Sequence, residues 1–311
     1  MKHGDEKLID QFLKDCKLRG MTDGSVRSYN SPLKIFSIFL NGKKISLLDM
    51  NRLILREYVD YLRNSKKLSQ KTIENHFSAI SSFYEYLVYE QIVEKNIVLD
   101  IRKRYLRRYK KNSASGETRK LISVEEMTVL IDSILDTRDK AIAVLFAKTG
   151  IRREELVTID VDDINWGDNS ITLKPSAKRS NRIVFFDGEC ALVLRRWMRI
   201  RGELVDSKIK ALFTSENGGR LKRCGVYNAM VGWAKRIGYF NPDSDKLEDH
   251  FSCHNFRHFF TTHLLRNGMP REYVKELRGD IRNEAIDIYH HIDMKDLKKA
   301  YLSAVPKFNV Y

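Results

Sequence analysis

Cysteine is scarce in this 311-residue chain. Cys16, Cys190, Cys224 and Cys253 lie far apart and form no Cys-x-x-Cys pair. That spacing argues against a disulfide framework and a cysteine-based zinc site, and it fits a reducing cytoplasm. Long apolar runs are missing too. The longest clear one, Ala141 to Ala147, ends at Lys148, far short of the roughly 18 residues that a membrane helix needs. The opening segment MKHGDEKLID is too charged for a secretory signal. There are no internal repeats, and low complexity is confined to one short linker; the composition excludes a disordered chain, a collagen-like chain and a small disulfide scaffold.

What is present is enough apolar sequence to bury real cores. Hydrophobic residues make up 42% and charged residues 31% of the chain, and the length suits two ordinary domains. The formal net charge is +15, which points to a polyanionic partner, because Lys and Arg displace counterions from phosphate. The excess is local: residues 1–100 carry a net +3, residues 101–120 a net +8, and the remainder a net +4. Within that short stretch Arg102, Lys103, Arg104, Arg107, Arg108, Lys110 and Lys111 alternate with Tyr105 and Tyr109. A solvated linker is the bland reading of such a run; a nucleic-acid contact is the sharper one.

The first hundred residues read as four amphipathic helices. Apolar residues recur at helical spacing in Leu8–Cys16, Val26–Phe39, Leu53–Leu62 and Ile73–Val88. Ser69 is placed to cap the fourth, and Pro32 should kink or split the second. The stretch KNSASGET, 111–118, reads as linker. We therefore expect a helical domain over 1–100, a basic linker over 101–118 and a second domain over 119–311. The second begins with helical patterns at Ile122–Leu135 and Ala141–Lys148. A three-stranded antiparallel meander should follow, at 163–166, 170–174 and 182–186, with a turn at Gly167-Asp168-Asn169. Helical patterns return at 192–202, 227–237, 255–266, 271–277, 284–290 and 296–304. The expected fold is mainly α with a small antiparallel β-sheet.

Three local patterns carry possible chemistry. In Thr149-Gly150-Ile151-Arg152-Arg153-Glu154-Glu155-Leu156, Gly150 can end a helix at positive φ, and Arg152 and Glu155 can pair three residues apart. In His254-Asn255-Phe256-Arg257-His258, His254 and Arg257 share one helical face. Tyr289 follows in Asp287-Ile288-Tyr289-His290-His291. Taken singly, each has an ordinary structural reading: a surface ion pair, a helix-face pair and a packing tyrosine.

Taken together, T-G-x-R-x-x-E-L, H-x-x-R-H and a late I-Y-x-H in a basic chain with a helical front domain resemble the tyrosine recombinase (phage integrase) family. The resemblance extends over nearly the whole chain and is strongest at 146–156 and 254–265. It suggests an Xer-like member of archaeal, viral or plasmid origin. The segment SQKTIENHFSAISSFYEYLV, 69–88, resembles that family's front, core-binding domain, which clamps DNA; Lys71 lies in it. The resemblance implies a two-domain architecture, an all-α core-binding domain and an α+β catalytic domain. It also implies site-specific recombination through a 3′-phosphotyrosyl intermediate, with no metal, ATP or other cofactor. No P-loop and no plausible carboxylate metal cluster is evident, in agreement.

By the same resemblance Arg152 and Arg257 clamp the scissile phosphate, Tyr289 is the nucleophile and His254 is its base or hydrogen-bond partner. Glu155 would orient Arg152, and His258 would support the site. The family places a lysine in the hairpin between the arginine motifs. Lys178, with Arg182 four residues on, fits best and Lys174 less well; Arg179 cannot act in their place because a guanidinium does not give up its proton. One departure stands out. Where the family has L-G-H, or Trp in the last place, this chain has Leu277-Arg278-Gly279-Asp280. Ionised Asp280 accepts hydrogen bonds but cannot donate one. It is therefore protonated, or it orients a basic neighbour, or Arg278 or His290 supplies the donor. The resemblance further implies double-stranded DNA with a specific site as substrate, a tail that docks on a neighbouring protomer, and a synaptic tetramer. It implies no membrane partner. A type IB topoisomerase-like enzyme and a non-catalytic DNA-binding relative remain the alternatives.

Overall fold

The computed structural model describes residues 3–106, 121–176, 179–244, 246–280 and 292–310. The chain divides into two compact units, Met1–Ala114 and Ser115–Tyr311. Among the described residues no helix is long and apolar enough to cross a membrane.

The front unit is helical. It comprises α1 (His3–Leu18), α2 (Asp23–Gly42), α3 (Arg52–Asp60), α4 (Gln70–Tyr89) and the short α5 (Val98–Ile101). Side-chain oxygens of Thr22, Asn51 and Ser69 accept from the first free backbone N–H groups of α2, α3 and α4, which fixes where those helices start. The apolar spacing of α4 puts Ile73, Phe77, Ile80, Tyr84 and Leu87 on one face, all essentially without solvent exposure, against Phe12, Leu33, Phe36 and Tyr58. Pro32 does not split α2. The helix runs through it, and the proline side chain joins the buried face. Leu53, expected on the apolar face of α3, is instead exposed.

The expected linker start at residue 101 needs correction. Residues Arg102–Leu106 continue α5 as a wider π-type turn, and Ile101 and Leu106 belong to the front core. Arg102 Nη2 donates to Ser78 Oγ on α4 (3.1 Å), and Arg63 Nη2 donates to the Tyr105 carbonyl (3.1 Å). Two buried aliphatic side chains five positions apart outweigh the charge between them, so the basic run is folded onto the unit as far as Leu106.

The second unit is built around α7 (Thr137–Thr149), whose residues from Ala141 onward are all buried. α6 (Val124–Ser133) precedes it. α8 (Arg153–Thr158), α9 (Gly188–Leu204), α10 (Arg223–Arg236), α11 (Cys253–Arg266), α12 (Arg271–Arg278) and α13 (Met294–Ala304) follow. Strands β1 (Ile164–Asn165), β2 (Ser170–Thr172) and β3 (Ile183–Phe185) form an antiparallel meander with Ile171 opposite both Ile164 and Val184. They are shorter than the sequence pattern suggests. Asn165 Oδ1 accepts from Gly167 N and Asp168 N, which turns the chain early. The expected helix at 284–290 lies outside the described residues.

The segment after α13 packs on the second unit, with Phe308 and Val310 in that unit's core. The anchor is Lys148 Nζ, which is fully buried and donates to Asp187 Oδ2 (2.7 Å), Glu189 Oε2 (2.5 Å) and the Pro306 carbonyl (2.6 Å). Glu189 in turn accepts from the backbone N–H groups of Phe308 and Asn309.

Candidate active site

Gly150 ends α7 in the left-handed conformation, φ 60°. A side chain there would be strained and would also meet Phe260: an added Cβ would lie 2.4 Å from its Cδ1. The reversal delivers Arg152 to the start of α8. Glu155 Oε2 accepts from the Arg152 backbone N–H (2.6 Å) and Oε1 from its Nη1 (3.1 Å). This is only the glutamate half of a capping box, because a guanidinium has no acceptor to return.

Arg257 rises from α11 and is buried. Its Nη1 donates to the Gly150 carbonyl (2.7 Å), and its Nη2 donates to the Arg278 carbonyl (2.8 Å) and to Asp280 Oδ1 (3.0 Å). Burial, and then the neighbouring guanidinium groups of Arg152 and Arg278, pull its pKa down to about 10. It therefore stays cationic at neutral pH while being poorly solvated, which strengthens its hold on an anion.

Asp280 follows the left-handed Gly279 at the end of α12. Its carboxylate lies among three guanidinium groups. Arg257 Nη2 is 3.0 Å and Arg152 Nη2 3.6 Å from Oδ1; Arg278 Nε is 3.1 Å from Oδ2. The structure thus brings Arg152, Glu155, Arg257 and Asp280 together, and adds Arg278.

Arg179, set aside in the sequence reading, is drawn into the same cluster. Its side chain is fully buried. Nε donates to Glu155 Oε1 (2.7 Å), and Nη1 donates to the carbonyls of Asn181 (3.1 Å) and Leu277 (3.2 Å). Burial pushes the Glu155 carboxyl up, but the bonds and charge of Arg179 and Arg152 outweigh it and hold the pKa below the usual carboxylate range. The hairpin arm is also stitched to the loop after α12: Ser180 N donates to the Gly279 carbonyl and Ser180 Oγ to the Asp280 carbonyl. A Cβ on Gly279 would lie 2.5 Å from Arg179 Cγ, so the glycine makes room for the arginine. An arginine in a basic turn looks solvated in the sequence, and nothing local signals its burial.

The remaining expected residues are dispersed or unplaced. His254 and His258 are exposed one turn apart on α11, with ring centroids 4.7 Å apart in edge-to-face contact. Lys174 is held by Asp163 Oδ1 (2.8 Å) and Asp160 Oδ2 (3.3 Å). Those bonds, that of Asp163 first, raise its pKa and make it a poorer proton donor. Arg182 Nε donates to the Leu173 carbonyl (3.2 Å). In the front unit Lys71, Lys103 and Arg104 are exposed and Arg102 is half-buried. Lys178, Tyr289, His290, Arg107, Arg108, Lys110 and Lys111 lie outside the described residues.

Comparisons with known proteins agree along the chain. A sequence model of the phage integrase family matches residues 116–296, and one described as the phage integrase N-terminal SAM-like domain matches residues 8–94. Tyrosine recombinase XerC of Vibrio cholerae is 26% identical over 292 residues, covering 93% of this chain and 89% of the relative. The protein of the same name from Psychromonas ingrahamii is 28% identical over 308 residues, covering 97% of each. Among solved structures, a lambda integrase dimer bound to a COC′ core site superposes with TM-score 0.68 at 15% identity, covering 93% of this chain and 98% of that one. The Tn1549 transposon integrase in complex with a circular intermediate DNA gives 0.68 at 14%, covering 95% and 98%. At such identities these likenesses speak for the fold: a helical front domain and a mostly helical second domain with a small sheet.

Proposed function

The chain belongs to the phage integrase family, and from that premise we propose that it is a site-specific tyrosine recombinase acting on double-stranded DNA in the cytoplasm. The observation that supports the reading best is the convergence of Arg152 and Arg257 on one anionic oxygen, Asp280 Oδ1. A phosphodiester needs positive groups where charge develops on its equatorial oxygens, and guanidinium forks match those oxygens bidentately without losing their charge.

The proposed reaction proceeds as follows. Arg152 and Arg257 bind the non-bridging oxygens of the scissile phosphate. Tyr289, whose ordinary pKa is about 10, loses its proton with help from His254 and the cationic site. Its phenolic oxygen attacks phosphorus; the bond to the 5′ oxygen breaks, and Lys178 protonates that oxygen. The products are a 3′-phosphotyrosyl link and a free 5′-hydroxyl. The hydroxyl of a second strand reverses the step and restores the phenol. The ester retains the bond energy, so rejoining needs no external energy source. Glu155, fixed by Arg179, sets the position of Arg152. Lys71 and the basic residues of 102–111 track the backbone of the DNA, and a synaptic tetramer of protomers aligns the strands.

Incubation with a random duplex library, followed by denaturing capture and sequencing of protein-linked DNA, tests this. The wild type should yield adducts at a defined sequence and Tyr289→Phe none. Adducts with relaxation of supercoiled plasmid but no recombinant products would favour a topoisomerase-like enzyme. Binding with no adduct would leave a non-catalytic DNA-binding relative.

A further inference from the structure

We propose that Arg278 is a third phosphate-binding residue of the catalytic centre, and that the Asp280 carboxylate stands where the phosphate binds. The recombinase reading supplies only the identity of the anion as a DNA phosphate; the anion site itself follows from the three arginines.

Arg152 and Arg257 are each fixed without Asp280. Glu155 holds the first, and the carbonyls of Gly150 and Arg278 hold the second. Arg278 differs. Its Nε is buried and, among the described residues, makes no hydrogen bond of acceptable geometry, although Asp280 Oδ2 lies 3.1 Å away. The pair has ion-pair proximity without alignment. A buried guanidinium N–H without an acceptor is costly, and a tetrahedral anion has more acceptor directions to offer it than a planar carboxylate. The two oxygens of Asp280 already share themselves among the three cations much as two non-bridging oxygens would, Oδ1 with Arg152 and Arg257, Oδ2 with Arg278. Asp280 cannot donate while ionised, so the donor that the family motif has at this position comes from two residues earlier. The carboxylate must move aside as phosphate enters.

Two arms test this, with circular dichroism and a thermal melt on every variant. The first uses inorganic phosphate and calorimetry. Asp280→Ala should bind phosphate about tenfold tighter than the wild type, and Arg278→Ala in that background should remove the gain. If Asp280→Ala does not bind phosphate more tightly, or binds it equally well with and without Arg278, the proposal is overturned. Asp280→Asn and Arg278→Gln replace the alanine variants if those fail to fold. The second arm uses a nicked suicide duplex carrying the captured cleavage sequence. Arg278→Ala should slow cleavage about a hundredfold with DNA affinity within about twofold, and Asp280→His should restore at least about tenfold of it. A neutral methylphosphonate at the scissile position should narrow the gap between the wild type and Arg278→Ala to about threefold or less, which a packing defect would not do. Normal cleavage by Arg278→Ala sinks the inference and spares the recombinase reading. The expected phosphate pattern without any wild-type adduct sinks that reading and spares the anion site.

Discussion

Arg179 Nε donates to Glu155 Oε1 across 2.7 Å, and both side chains are buried. The bond joins the hairpin arm to the helix that begins beside Arg152, and the same carboxylate grips Arg152. One glutamate therefore relays the position of the hairpin to Arg152, a residue of the proposed phosphate clamp.

Breaking this relay should cost stability as well as rate. Arg179→Leu leaves a buried carboxylate with one partner fewer, and losing one member of a buried pair costs about 3–5 kcal/mol. Urea unfolding should show a lower midpoint. A midpoint equal to wild type would mean the pair is not buried in solution.

The pH dependence has a definite sign. Because the folded-state pKa of Glu155 is held below its ordinary value of about 4.3, its contribution to stability is fully present above that pH and is lost as pH falls through the lower folded value. The stability gap between wild type and Glu155→Gln should be constant from pH 7 to about 5.5 and shrink below about 4.3. A gap that widens on acidification would contradict the assignment.

Gly150→Ala should destabilise by more than about 2 kcal/mol, since it combines a left-handed backbone with a Cβ placed against Phe260. Gly202→Ala is the control. It lies in α9 with nothing within 4 Å of the added carbon, so it should be neutral or stabilise by up to about 1 kcal/mol. Thermal melts of the two variants make the comparison.

Arg152→Ala and Arg257→Ala should each lower suicide-substrate cleavage by about 10²–10³-fold with a modest loss of binding. Cleavage at the wild-type rate would refute the clamp.

Neutralising Lys103, Arg104, Arg107, Arg108, Lys110 and Lys111 should weaken DNA binding and flatten its salt dependence, by about 0.9 in the log–log slope for each phosphate that the protein no longer neutralises. An unchanged slope would make the run a solubilising segment.

Much of the fold was legible because helical periodicity and turn chemistry are local. The burial of α4, the break at Gly150 and the order of the meander all follow from residues a few positions apart. What stayed hidden depends on distant partners. Nothing near Arg179 announces Glu155, 24 positions earlier, or the Leu277 carbonyl, 98 later. Asp280 could be flagged as a departure, but not as the meeting point of three guanidinium groups. The basic residues of 102–106 masked the burial of two aliphatic side chains, and the return of the tail onto its own unit depends on an ammonium 158 residues away from Pro306.

That ammonium ties the evolutionary fate of three separated stretches of sequence. With Lys148 devoid of solvent and neutralised by Asp187 and Glu189, neither the lysine nor the carboxylates can drift alone without stranding charge in the interior. Relatives carrying an aliphatic residue at the first position should have surrendered both carboxylates too, and the hold on the chain around Pro306 with them.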